Sequence, residues 1–366
     1  MSEAQHRKSS EMIIRQAEPV NLETPLDQVD SYLTPADLFY VRSHFDTPTL
    51  DASTYRLRIA GAVANPRSFT LQELRDMPSE TRVATLECAG NGRALLVPRV
   101  RGVQWELGAV GNAEWTGVSV AALLDRVGLR DDAREIVFEG ADRGKPNDPQ
   151  APADPISFAR SISRAKALRG NVLIAYQMNG HDLPLDHGYP VRAIVPGHYG
   201  MASVKWLTRI EASETPFRGY WQTTDYAFWV QSKGKRVRQA LAEMELKSEI
   251  IRPRSLETLE PNELYTVTGI AWAGDTEVAR VGVSTDGGGS WEEATFLDPA
   301  QQYAWRRWTF DWRTPPTSGR YSLLSRAYGT DGSVQPDARD PRYGPYVINH
   351  VLPTEVLVEG ADRRSR

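Results

Sequence analysis

Cys88 is the only cysteine in 366 residues. A single thiol rules out an intrachain disulfide, a Cys-ligated zinc finger, an iron–sulfur cluster and the C-x-x-C-H haem attachment, so the fold must stand on its core alone. A chain of this length can bury such a core and is long enough for two or three domains. The thiol lies in "TRVATLECAGNGR" (81–93), where a strand-like run ends at the cysteine, a Gly-Asn-Gly turn follows and Arg93 closes the stretch. A lone cysteine is most often a small buried hydrophobe. Here the turn brings backbone N–H groups together and the arginine adds a fixed positive charge, a setting that suits a nucleophile or a soft metal ligand.

Lys plus Arg number 43 and Asp plus Glu 47, a formal charge of -4. No global basic field draws a nucleic acid, so any anion site must be local. The N-terminal stretch "MSEAQHRKSSEMIIRQAEPVNLETPLDQVD" has neither the apolar centre of a secretory signal nor a twin-arginine start, which predicts a cytoplasmic protein. No run of 18 apolar residues occurs, which argues against a membrane span.

Residues 1–30 read as an N-terminal extension. From there "YRLRIAGAV" (55–63) and "EIVFEGAD" alternate as strands, while "TLQELRDM" opens a helix with a Thr70/Glu73 capping box and "SVAALLDRVGL" a second, with Ser119 near its N-cap. Strands and short helices interleave without βαβ spacing, so 31–236 is expected to be an α+β domain rather than a doubly wound sheet. "GKPNDPQAPADPI" (144–156) carries four prolines and predicts a structured loop or lid. From 237 to 366 short strands recur between turn signals, the pattern of an all-β sandwich, and "STDGGGSW" is a hairpin turn within it.

Familiar motifs fail on inspection. "GNGRAL" has Leu95 where a third dinucleotide-binding glycine belongs, and "GADRGKP" lacks the Ser/Thr of a P-loop. Pro184 prevents His181 and His187 from sharing a helix face, so "HDLPLDH" predicts hydrogen-bonding histidines rather than a hydrolase metal site. Arg42, Arg93, Arg192 and Lys205, with Trp105 and Tyr176, could together line a pocket for a phosphate and a small oxyanion.

"FYVRSH", "LECAGNGR", "GVQWELGAVGNAEW", "LIAYQMNG", "LDHGYPVRAIVPG" and "ASVKWL" occur in the order and rough spacing of the sulfite oxidase family of molybdenum enzymes, which the chain resembles from about residue 30 onward. The resemblance implies a mixed α/β molybdopterin-binding domain followed by an immunoglobulin-like dimerisation domain, and hence a homodimer. It implies molybdenum ligated by Cys88 and by the dithiolene of a pyranopterin. Tyr40, Val41, Arg42, Ser43, His44, Gly140, Ala141, Asp142, His187, Arg192, Ser203, Val204 and Lys205 match cofactor contacts, and Arg42, Arg93, Trp105 and Tyr176 match substrate-pocket positions. The implied reaction is oxidation of sulfite to sulfate, with electrons passed to an external acceptor or dioxygen because no haem module accompanies the chain. Two departures stand out. Gly92 replaces a family arginine, and Thr276 stands where the family carries an arginine before its Asp-Gly-Gly hairpin, so reduction of nitrate or a sulfoxide is the alternative reaction.

Overall fold

The alternation of "YRLRIAGAV" becomes the strand Arg56–Gly61 in the computed structural model, which describes residues 8–360. Leu57 and Ile59 are fully enclosed on its inner face, because successive side chains of a strand face opposite sides of the sheet. The structure is mostly sheet. Among the described residues the α-helices are Leu71–Arg75, Val120–Val127 and Arg164–Ala167. Thr70 begins the first, its hydroxyl accepting from Glu73 N at 3.0 Å while Glu73 Oε2 accepts from Thr70 N at 2.8 Å, the reciprocal capping box. The second helix buries Val120, Leu123, Leu124 and Val127 along one face, each contributing about 2 kcal/mol. It ends at Gly128, whose φ of +70° closes the C-terminus in the left-handed region.

The chain divides into two compact units. In the first, residues 8–25, 33–243 and 341–347, a five-stranded antiparallel sheet runs His181–Asp182, Leu173–Met178, Val110–Ser119, Glu80–Glu87, with Arg192–Ile194 also paired to Leu173–Met178. A second sheet is ordered Arg67–Thr70, Arg56–Gly61, Leu207–Ser213, Glu135–Gly144, Ile156–Ser163, and only the Arg56–Gly61 and Leu207–Ser213 pair is parallel. The stretch read from sequence as an extension supplies Ile13–Gln16 and Asn21–Glu23, which form a small sheet with Val41–Arg42. The proline-rich loop joins Glu135–Gly144 to Ile156–Ser163.

The second unit, residues 26–32, 244–340 and 348–360, holds two sheets and no α-helix among the described residues. One contains Lys247–Arg252, Leu264–Trp272, Arg306–Arg313 and Thr295–Phe296, the other Thr258–Leu259, Thr354–Val358, Gly319–Gly329, Val278–Ser284 and Glu292–Glu293. Their inner residues, among them Val267, Val281, Trp308, Leu323 and Val356, make one apolar cluster. Gly269 is glycine because Trp308 lies flat on it, where a Cβ would stand 2.1 Å from Trp308 Cζ2. The "STDGGGSW" turn is organised by Asp286, whose carboxylate accepts from Ser284 Oγ, Ser290 N and Ser290 Oγ at 2.7–2.9 Å. Those bonds hold its pKa well below the usual carboxylate range.

Candidate active site

Cys88 extends the strand Glu80–Glu87 by one bond, its N–H donating to Ala109 O at 2.9 Å. The chain then turns, with Asn91 N donating to Cys88 O at 2.8 Å and Gly92 at φ +88°. That left-handed backbone requires glycine, and an L side chain in its place would be strained. Behind the turn, Asn91 Oδ1 accepts from Ala109 N, and the buried Glu23 carboxylate accepts from Gly108 N and Glu106 N at 2.7 and 3.1 Å. The thiol is therefore held by backbone bonds on both sides of its Cα.

It faces a partly open cavity. The strand Val41–Arg42 brings Arg42 to the wall, with Ser43 and His44 just beyond it. The fully buried Asn21 orders this segment, its Oδ1 accepting from Ser43 N at 3.0 Å and from Arg42 at 3.3 Å. Arg192 enters from the short strand Arg192–Ile194, its guanidinium donating to His187 O and Ser203 O and stacking 5.0 Å over Trp115. Lys205 donates to Ser43 Oγ at 3.0 Å and Asp186 O at 2.8 Å. Asp142 arrives on the strand Glu135–Gly144.

Burial dominates the electrostatics. It pushes Lys205 down to about 7, with the like charge of Arg192 adding to the effect, and pushes Asp142 up to about 7 against the pull of Lys205. Arg192 falls to about 10 by burial. His44 and His187 lie well below the ordinary histidine value, first through burial and then through Arg42 beside His44 and Lys8 beside His187. Both rings are neutral, so the fixed positive charge of the wall comes from the guanidiniums of Arg42 and Arg192, with the amine of Lys205 and the carboxyl of Asp142 beside them.

Of the residues expected from sequence, Tyr40, Arg42, Ser43, His44, Cys88, Asp142, His187, Arg192, Ser203 and Lys205 line this cavity together. Val41 and Val204 are buried beside lining residues. Gly140 and Ala141 lie on the strand that carries Asp142, where a Cβ on Gly140 would meet Asp142 Oδ1 at 2.4 Å and Lys205 O at 2.7 Å.

Three expected pocket residues do not line it. Arg93 folds back over its own turn, donating to Val103 O and Pro345 O at 2.8 and 2.9 Å and stacking on Tyr346. Its guanidinium occupies the space that a Cβ on Gly90 or Gly102 would need. Trp105 is fully buried behind Tyr40, with ring centroids 6.5 Å apart. Tyr176 sits at a register shift between Ala175 and Gln177, and its ring packs under Arg75. Such a bulge re-aims the side chain that an unbroken alternation would send inward. Tyr226, which the sequence did not single out, lines the cavity instead, its hydroxyl 2.6 Å from His44 Nε2. It follows a single π-helical turn, Trp221–Asp225, a local irregularity often found at functional sites. Thr276 belongs to the second unit, where its hydroxyl lies 3.4 Å from that of Thr330.

Two observations define what the cavity suits. Among the described residues no three His, Cys, Asp or Glu side chains converge to hold a metal ion, so an ion at Cys88 must bring most of its ligands with it. Asp142 Oδ1 is buried without a hydrogen-bond partner, and the guanidiniums of Arg42 and Arg192 line the same cavity. An anionic organic group that carries its own sulfur donors and offers hydrogen-bonding ring nitrogens answers both conditions. Molybdopterin is such a group.

Comparison with known proteins agrees. Residues 44–221 match the family described as the oxidoreductase molybdopterin binding domain, and residues 238–342 match the Mo-co oxidoreductase dimerisation domain. Sulfite oxidase of Gallus gallus is 35% identical over 347 residues, covering 90% of this chain and 73% of that protein. Mitochondrial sulfite oxidase of Rattus norvegicus is 34% identical over 90% of this chain, which spans 62% of the rat protein's length. The solved structure of the sulfane dehydrogenase SoxCD from Paracoccus pantotrophus superposes with a TM-score of 0.79 at 28% identity, covering 98% of this chain and 91% of that one. No helix among the described residues is long and apolar enough to cross a membrane. On these grounds the chain belongs to the sulfite oxidase family of molybdopterin-dependent oxidoreductases.

Proposed function

We propose that the chain oxidises sulfite to sulfate, passing two electrons to an external acceptor. The observation that carries this reading is the single buried thiol of Cys88 in a cation-lined cavity that has no metal-ligand cluster of its own. Cys88 would ligate molybdenum. The backbone and side chains of Tyr40 to His44, the Gly140–Asp142 strand segment, and His187, Arg192, Ser203, Val204 and Lys205 would hold the pterin and its phosphate. When bound, that centre supplies oxygen-atom transfer coupled to two-electron exchange.

The protein's own groups do the rest. Arg42 gives the sulfite oxyanion a guanidinium to bind, with its charge held in place by Asn21. Tyr226, its pKa raised by burial, keeps its proton, and its contact with the neutral Nε2 of His44 at 2.6 Å holds the hydroxyl at the cavity wall. Overall, sulfite gains an oxygen derived from water while two protons and two electrons leave. Arg93 and Trp105 act from behind the wall, fixing the glycine turn and Tyr40, and the place first given to Tyr176 passes to Tyr226. The second unit is an immunoglobulin-like sandwich through which the chain forms a homodimer, and sedimentation of the loaded protein tests that assembly.

Protein made in a host that synthesises molybdopterin is expected to hold about one molybdenum per chain, the stoichiometry of one thiolate ligand, and to reduce ferricyanide when given sulfite. Nitrate reduced by a viologen dye without any sulfite activity would reverse the assigned direction. Folded protein without molybdenum would refute the reading altogether.

A further inference from the structure

Near the start of the described residues, Lys8 reaches the back of the cavity wall. Lys8 Nζ donates to the carbonyls of Ala36 and Phe39 at 2.6 and 2.7 Å and lies 2.7 Å from Nε2 of His187. Burial lowers Lys8 to about 7, so below that pH it is an ammonium with three protons and no lone pair, and with two protons on carbonyls the third can only go to that nitrogen. Nε2 must then be the bare nitrogen of the ring. His187 is neutral, and a neutral imidazole carries one N–H, which therefore sits on Nδ1. The ring is buried, edge-on to Phe39 at 5.3 Å, and lines the cavity. With Nε2 engaged by Lys8, Nδ1 is the nitrogen left to face the cavity.

We propose that Lys8 is a positioning residue that fixes His187 as its Nδ1–H tautomer, so that the ring presents a hydrogen-bond donor to the anionic group held in the cavity. The proposal rests on the cofactor reading above, in that the group addressed is an acceptor such as the pterin phosphate or a ring nitrogen. Without Lys8 the ring is free to place its proton on Nε2 and donate to Ala36 O, now 3.4 Å away and satisfied by the lysine. It would then turn a lone pair toward the cavity. A donor would become an acceptor facing an anion, a change of sign at an unaltered position.

The test reads the tautomer directly. Full-length protein labelled with ¹⁵N-histidine, with and without cofactor, is examined by two-bond ¹H–¹⁵N correlation at pH 6, where Lys8 is protonated, and His187→Gln identifies the signal. The wild-type protein is expected to show His187 as Nδ1–H. Lys8→Met is expected to show Nε2–H, and Lys8→Arg, which also only donates, to keep Nδ1–H. An Nε2–H ring in the wild-type protein overturns the proposal without any variant, and so does an Nδ1–H ring in Lys8→Met. On dilution, Lys8→Met is expected to release molybdenum about 10- to 100-fold faster than wild type, the usual effect of losing an outer support of a ligand. Faster release with an unchanged tautomer would make Lys8 a packing residue and overturn the proposal. A wild-type protein that takes up no molybdenum would instead refute the cofactor reading, leaving the tautomer result intact.

Discussion

The cavity wall of the first unit and the core of the second bury side chains for opposite purposes. In the second unit Val267, Val281, Trp308, Leu323 and Val356 are at most 1% exposed and wholly apolar apart from the indole N–H, which donates to Ser248 Oγ. Each removes hydrocarbon from water and returns free energy on folding. Around Cys88 the enclosed groups are Arg192, His187, Ser203, Asp142 and Lys205, and two of these are pushed to about 7 from opposite ends of the scale. Taking charges out of water without matched partners costs several kcal/mol each. An anionic ligand would offset that cost, so the contrast separates where the chain is stable from where it binds.

The sharpest way to break that contrast is to remove the thiol. Cys88→Ala is expected to bring molybdenum content and turnover to background while changing stability by only about 1 kcal/mol, the size of a small side-chain truncation. Elemental analysis beside thermal unfolding checks both halves. A large fall in stability with molybdenum retained would turn Cys88 into ordinary core. The mirror experiment is Trp308→Ala. Losing that buried indole and the packing over Gly269 is expected to cost about 3–5 kcal/mol. Molybdenum per folded chain should stay at the wild-type level, and its loss in step with stability would erase the distinction.

Much of this contrast could be read from the chain, and what could not has a common cause. The thiol, its Gly-Asn-Gly turn, the Thr70/Glu73 capping box and the turn at Asp286 are local, and local rules find them. The cationic wall was found through the resemblance carried by its motifs. Tyr176, which the resemblance put in the substrate pocket, instead sits at a register shift between Ala175 and Gln177 and packs under Arg75. Tyr226, Asn21 and Lys8 were missed because each acts across a long stretch of chain: 182 residues separate Tyr226 from His44, 22 separate Asn21 from Ser43, and 179 separate Lys8 from His187. No periodicity announces such a pairing. The π-helical turn before Tyr226 has no sequence signature either.

A milder probe asks whether the cavity charges serve the ligand alone. Lys205→Met removes a half-buried amine and its bonds to Ser43 and Asp186. The cofactor-free protein is expected to remain within about 1 kcal/mol of wild type, because the relieved desolvation offsets the lost hydrogen bonds. Cofactor release should nevertheless quicken about 10- to 100-fold. Chemical denaturation and molybdenum release measured on the same preparation test the two together. Equal losses in both would mean that Lys205 is structural.

The smallest effect is also the most specific, because it depends on sign. In the cofactor-free protein His44 and His187 are neutral to well below 6.5, whereas in the unfolded chain they take up protons below 6.5. Unfolding therefore absorbs a proton at each, and their contribution to stability is lost as pH falls through 6.5, by about 1.4 kcal/mol per pH unit for each ring. Asp142 works in the opposite direction. Its folded value of about 7 lies above the ordinary 3.8, so between those values the folded protein holds the proton and gains stability as pH falls. Two histidines against one carboxyl leave a net slope of at most about 1.4 kcal/mol per pH unit as pH falls below 6.5 from these groups. His187→Gln should flatten that slope and Asp142→Asn should double it, with denaturation curves compared across the same interval. Parallel curves for all three proteins would mean that these groups are not the enclosed, strained set on which the contrast with the apolar core depends.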